Sequence, residues 1–306
     1  AKNAEAEQSD DAAELRARIR AGQRVLDMER QLTETNRIVT ANLTRMDRDL
    51  AEARKLQQSL VRERFLSFPG LDVSMLLHPA GHVGGDLVGT FPVNDLEIGV
   101  YSIDVSGHDV ASALMTARIA AYLSGSAAGQ NIAIETGTDG QPRMRPPAQV
   151  AAMLNALMLD GMQTDIYLTM LLARVNLGTG VVTMTQAGHP HPALHRADGS
   201  VVFPGEGGLP VGLIAEAEFT EFQVTLAPGD RLFLGSDGVT ECTAPDGAML
   251  EQTGLTRLLR RHADRSGAAF FDAFLWDLDA FAGDNPFEDD ISGVLLEYRR
   301  RGAAPD

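Results

Sequence analysis

Four places in the chain set aspartate beside glycine, or beside a second aspartate, at the end of an apolar stretch. They are Asp86 in VGGD, Asp104 in SIDVSGHD, Asp237 in GSDG, and the pair Asp289–Asp290 in FEDDIS. Carboxylates, main-chain carbonyls and water are hard oxygen donors, and such a set favours Mg2+ or Mn2+. Glycine neighbours let the backbone approach closely and free carbonyls to act as further donors. Four carboxylates gathered without a cation would repel one another and hold their protons more tightly. A pair of divalent ions would remove that penalty. Each motif taken singly also serves as a turn or a cap, because Asp and Gly dominate turns. The order of the four, and their shared place at strand ends, points beyond turns to a common site.

The elements that must aim these carboxylates are mostly strands. DVSMLLHPA and EIGVYSIDV are short, β-rich and bounded by Gly, Pro and Asn-Asp. HDVASALMTARIAAYLSG has helical spacing, and PAQVAAMLNALMLDGM reads as a second helix entered through Pro146 and Pro147. Between them, residues 124–147 read as a long polar loop rich in Gly and Pro. DIYLTMLLARVNLGTGVVTMTQAGH predicts two strands around a Gly-Thr-Gly turn, and PALHRADGSVVFP a hairpin with Asp198–Gly199 at its tip. Two further strands flank Pro228–Gly229, two helices fill residues 250–283, and DISGVLLEYRR is a final strand. Strands grouped around adjacent helices predict an α+β layered domain rather than a strand–helix alternation.

Residues 11–64 lack proline, contain one glycine (Gly22) and are rich in Ala, Leu, Glu and Arg, which suits one long helix. Val25, Met28, Leu32 and Val39 follow a three-four spacing with Thr35 between the last two. Leu43, Met46, Leu50, Ala53, Gln57 and Leu60 resume it after a four-residue step, a stutter. A narrow apolar seam on a charged helix needs a cover. Either it packs on its own domain or it pairs with the same helix of a second copy, and a homodimeric coiled coil is the simpler solution. The expected division is therefore 1–64, a linker and dimerisation helix, and 65–301, the catalytic domain.

Bulk properties exclude other classes. A net charge of -16 over 306 residues disfavours nucleic acid and anionic lipid as partners. The single cysteine, Cys242, cannot form a disulfide within the chain, no apolar run reaches a membrane span, and the polar acidic N-terminus is no signal peptide. The expectation is a cytoplasmic protein.

The run VGGD, DVSGHDVASAL, QAGHPHPALHRADG, GLPVGL, LAPGDRLFLGSDGVTE, PDG, DDIS resembles the SpoIIE/RsbU-like branch of the PPM metal-dependent serine/threonine protein phosphatases. The resemblance extends from about residue 56 to 298, with the motifs in the family's order. It implies two antiparallel sheets packed as a sandwich and flanked by pairs of helices. It also implies two Mn2+ or Mg2+ ions held by Asp86, Asp104, the carbonyl of Val105, Asp237 and Asp289, with Asp290 a near neighbour of the last. Asp86, Asp104, Asp237 and Asp289 would then carry catalysis by a metal-activated water, with no role for Cys242. Two departures stand out: Asp109 replaces the usual glycine of SGHG, and Gly235–Ser236 replaces an aromatic before the DG pair. His108 is read either as a general acid or as a residue holding the first turn of the next helix; His189 and His191 read as structural. The implied substrate is a phosphorylated STAS-domain anti-sigma-factor antagonist in partner switching. ELRARIRAGQRVLDMERQL further resembles the segment that follows a response-regulator receiver, which implies such a domain upstream. The alternative is a weakly active or inactive member that works as a dimeric binding module.

Overall fold

The structure, a computed structural model, describes residues 22–24, 26, 28–42, 44–45, 48, 64–81, 84–107, 110–125, 129–161 and 166–299. The chain divides into two units, Ala1–Glu52 and Ala53–Asp306. In the first, residues 28–42 are helical, and the seam residues Met28, Leu32 and Val39 are exposed. Val25, the stutter step to Leu43 and the seam beyond it lie outside the described residues. Among the described residues no helix is long and apolar enough to cross a membrane.

The second unit is built from strands whose apolar runs pair in antiparallel ladders. Six form one sheet: β1 (Phe65–Phe68), β2 (Leu71–His78), β9 (Ala193–His195), β10 (Val201–Val202), β12 (Arg231–Gly235) and β13 (Ile291–Tyr298), ordered β1-β2-β13-β12-β9-β10. Five form the other: β3 (Asp86–Asn94), β4 (Glu97–Val105), β7 (Leu168–Asn176), β8 (Val181–Ala187) and β11 (Glu221–Thr225), ordered β11-β8-β7-β4-β3. Valine, leucine and methionine from both sheets, among them Val73, Val100, Leu171, Leu232 and Val294, fill the space between them. Strands covered on both faces read as continuous apolar runs, as β4 and β12 do. The outer strand β11, EFQVT, alternates exposed with half-buried residues. Pro92 sits in β3, an outer strand, where a missing N–H costs no ladder bond.

Helices cover the outer faces. Helices α1 (Val110–Leu123) and α2 (Pro147–Gly161) bury Ile119, Leu123, Val150 and Leu154 against the five-stranded sheet. The short turn α3 (Asp237–Thr240) leads from β12 toward α4 (Glu251–Arg261) and α5 (Gly267–Ala282). Leu255, Leu258 and Leu259 of α4 and Phe270, Phe274 and Leu278 of α5, at three-four spacing, close over Phe233 of the six-stranded sheet. This is the α+β sandwich flanked by helix pairs that the resemblance implies.

Three details differ from the sequence reading. Residues 124–147 are not simply a loop: they hold the hairpin β5 (Ile134–Thr136) and β6 (Pro142–Met144), and Ala133, Ile134 and Met144 enter the core. FLSF, which the sequence reading assigned to no element, is strand β1, paired with β2. The strands around Pro228–Gly229 do not pair with each other; β11 joins one sheet and β12 the other.

Candidate metal centre

The ladder between β3 and β4 begins with Asp86 directly opposite Asp104. Like charges facing across a ladder oppose pairing, so this register is one a solvated sheet would avoid. The ladder between β12 and β13 ends at Gly235 opposite Gly293. Beyond that pair the two strands continue into Asp237, at the start of α3, and back to Asp289–Asp290. The four predicted positions thus come from adjoining ends of the two sheets. Asp237 feels Asp289, and Asp104 feels Asp237, Asp289 and Asp290.

The glycines have a specific use here. A side chain on Gly84 would overlap the carboxylate of Asp290, and one on Gly85 would overlap the carbonyl oxygen of Val105. A Cβ on Gly238 would strike the carbonyl of Asp290. These three residues permit the close packing that brings the segments together. Thr116 of α1 donates to the Gly85 carbonyl at 2.9 Å, and Ser112 of α1 donates to the Ser106 carbonyl at 2.8 Å. The first helix therefore braces both acidic loops, a role that small hydroxyls inside an apolar helical pattern did not announce.

The electrostatics follow from this crowding. Burial, then Asp104 and Asp290, push the Asp86 carboxyl well above the usual carboxylate range. Burial, then Asp237 and the Asp289–Asp290 pair, raise Asp104 to about 7. Asp237 is raised by burial, then by Asp289 and Glu241. Asp290 is raised by burial, while main-chain N–H bonds pull it back. Oδ2 of Asp86 is buried and has no hydrogen-bond partner among the described residues. A stranded carboxylate oxygen ringed by like charges fits a divalent cation. Among the described residues no three acidic, histidine or cysteine side chains form a ready-made metal cage. A bound ion would therefore draw on main-chain oxygen and water as well, as Mg2+ commonly does.

The paired aspartates have different surroundings. Asp289 is exposed and lines a cavity of ≈ 240 Å³ with Gly238, Glu241, Met249 and Phe287. Asp290 is 3% exposed, and its oxygens accept the Ala80 N–H at 2.9 Å and the Asp86 N–H at 3.3 Å. His108 and Asp109 lie outside the described residues. His189 is buried, with Nε2 3.0 Å from Ser102 Oγ and Nδ1 3.2 Å from the Pro190 carbonyl, and burial lowers it to about 4. A neutral ring with both nitrogens engaged is a brace. His191 Nδ1 lies 3.3 Å from the Pro204 carbonyl. Cys242 is buried, and burial raises its thiol, so it is a packing residue.

Comparison with known proteins bears on the fold and the family. The family described as Stage II sporulation protein E (SpoIIE) matches over residues 94–299, a span holding every site residue but Asp86. Phosphoserine phosphatase RsbU of Bacillus subtilis (strain 168) is 28% identical over 211 residues, which is 69% of this chain and 58% of RsbU. The chain thus spans little more than half the length of that relative. Among solved structures, the SiaA-PP2C domain of Pseudomonas aeruginosa superposes with a TM-score of 0.67 at 20% identity, over 84% of this chain and 99% of that one. RsbX in complex with magnesium gives 0.52 at 14%, over 76% and 98%. Both share the fold.

Proposed function

The chain belongs to the SpoIIE family, and on that premise we propose that it is a metal-dependent serine/threonine protein phosphatase. The observation that carries the reading is the convergence of Asp86, Asp104, Asp237 and Asp289, with a stranded oxygen on Asp86 and, among the described residues, no cationic side chain to neutralise them. Asp86, Asp104, Asp237, Asp289 and the Val105 carbonyl would hold Mn2+ or Mg2+, and RsbX, which shares the fold, is a magnesium complex. Bound there, the cations supply positive charge for the phosphoryl oxygens and lower the pKa of water. The protein's part is to keep the donors at fixed strand ends and to leave Asp289 open to solvent beside the cavity.

The substrate we assign is a phosphorylated STAS-domain antagonist of an anti-sigma factor, by analogy with the phosphoserine phosphatase RsbU. That substrate class goes with a cytoplasmic site of action. The exposed seam of Met28, Leu32 and Val39 supports pairing with a second copy, and an upstream receiver would signal through that helix. The test is phosphate release from a phosphorylated STAS protein and from p-nitrophenyl phosphate, with Mn2+ added. Asp104→Asn should lower release more than a hundredfold, beyond the about 10–100-fold that outer-shell partners cost. A wild-type rate unchanged by chelator, or no release at all, would overturn the assignment. A preference for the small ester would make the chain a small-molecule phosphatase instead.

A further inference from the structure

We propose that Asp290 is a positioning residue: its carboxylate ties the loop before β3 to the start of β13, and so sets the direction of Asp86. This deepens the metal-site reading and rests on it for its functional meaning. The geometry stands on hydrogen bonds alone. One oxygen accepts Ala80 N–H and the other accepts Asp86 N–H, contacts that span 210 and 204 positions of the chain. Asp86 heads a strand of the five-stranded sheet, and Ser292, two residues after Asp290, lies in the six-stranded one. The anchor therefore joins the sheets at the end where the acids gather.

Asp290 is itself held. Ser236 Oγ donates to the Asp290 carbonyl at 3.0 Å and accepts the Ser292 N–H at 3.0 Å, while Ser236 N–H donates to the Ser292 carbonyl at 3.1 Å. Ser236 immediately precedes Asp237. A continuous path thus runs from Asp237 through Ser236 and Asp290 to Asp86, linking three of the four acidic segments. Gly84 leaves the space the Asp290 carboxylate occupies. The two aspartates of the pair divide the work: Asp289 faces solvent and the cavity, while Asp290 faces inward onto main-chain donors.

The decisive experiment compares Asp290→Asn, Gly84→Ala, Ser236→Ala and Asp289→Asn in the full chain. The first two attack the anchor by different means, since Gly84→Ala removes no acid. Amide exchange is read without metal, and Mn2+ affinity by calorimetry. The anchor predicts that Asp290→Asn and Gly84→Ala speed exchange at Ala80 and Asp86 by about tenfold, with β7 amides unchanged, and weaken Mn2+ by about 10–100-fold. Ser236→Ala should do the same to a lesser degree, and it serves if either of the others fails to fold. Asp289→Asn should weaken Mn2+ and leave exchange at Ala80 and Asp86 as in wild type. Wild-type exchange in both anchor variants would overturn the proposal. So would Mn2+-loaded crystals with an Asp290 oxygen within about 2.5 Å of the ion. If wild-type protein bound no Mn2+ the phosphatase reading would fail, and the exchange measurement would still decide the anchor.

Discussion

Two regions of this protein bury charge, and they do so in opposite ways. Beneath α4 and α5, Arg231 is 8% exposed and fully partnered. It binds Glu297 at 2.5 Å, donates to the carbonyls of His262 and Arg265, and lies 5.1 Å from the Phe270 ring centroid. Beside it His262 Nε2 meets Asp277 at 2.8 Å, and Arg261 meets the same carboxylate at 3.2 Å. At the sheet ends Asp86, Asp104, Asp237 and Asp290 face one another with no cation among the described residues between them. The first region neutralises its charges internally, as folded proteins usually do. The second withholds that neutralisation. Uncompensated like charge at rigid strand ends is a cost to folding that a bound cation or a proton relieves, which marks the second region as the candidate site and the first as a brace.

The contrast can be broken most forcefully at Arg231. Arg231→Ala leaves Glu297 and several carbonyls buried without their donor, so urea unfolding should show a loss of about 3–5 kcal/mol. A loss below about 1 kcal/mol, the value of an exposed pair, would remove the distinction between the regions.

The next effect has the opposite sign. Asp104 sits at about 7 in the folded chain and at about 4 when unfolded. Between those values the folded state holds a proton that the unfolded state gives up. Stability contributed by this group is therefore full below pH 4, falls as pH rises from about 4 to 7, and levels above. Asp104→Asn should flatten that slope in chelator-treated protein and raise its melting temperature at pH 8. Adding Mn2+ should raise the wild-type melting temperature and leave the variant nearly unmoved. A variant less stable than wild type in chelator would mean that the carboxylates do not oppose folding.

The smallest expected change sharpens the boundary between the regions. Cys242 follows α3, and its Sγ lies 3.9 Å from the Leu278 carbonyl of α5. Cys242→Ala should cost about 1 kcal/mol through packing alone and leave phosphate release unchanged; loss of release would give the thiol a role that its burial argues against.

Much of this was legible in the chain. The Gly-Thr-Gly and Asp198–Gly199 turns, the two helices within residues 250–283, and the acidic motifs at strand ends are local signals, and each appears where the pattern placed it. The hairpin inside residues 124–147 escaped because its three-residue strands are too short to show a period, and they are held by burial of Ile134 and Met144. Thr116 and Ser236 escaped because a hydroxyl has no signature until its acceptor is in place.

Residue type and order were enough to single out the acids, since hard oxygen chemistry belongs to the carboxylates wherever they lie. They could not say which of two adjacent aspartates looks outward. That difference depends on Ala80 and Asp86, more than 200 positions away, and on Gly84 leaving room. Hydrogen bonds across such a separation exist only after both sheets have formed, so the division of labour between Asp289 and Asp290 is a property of the packed sandwich.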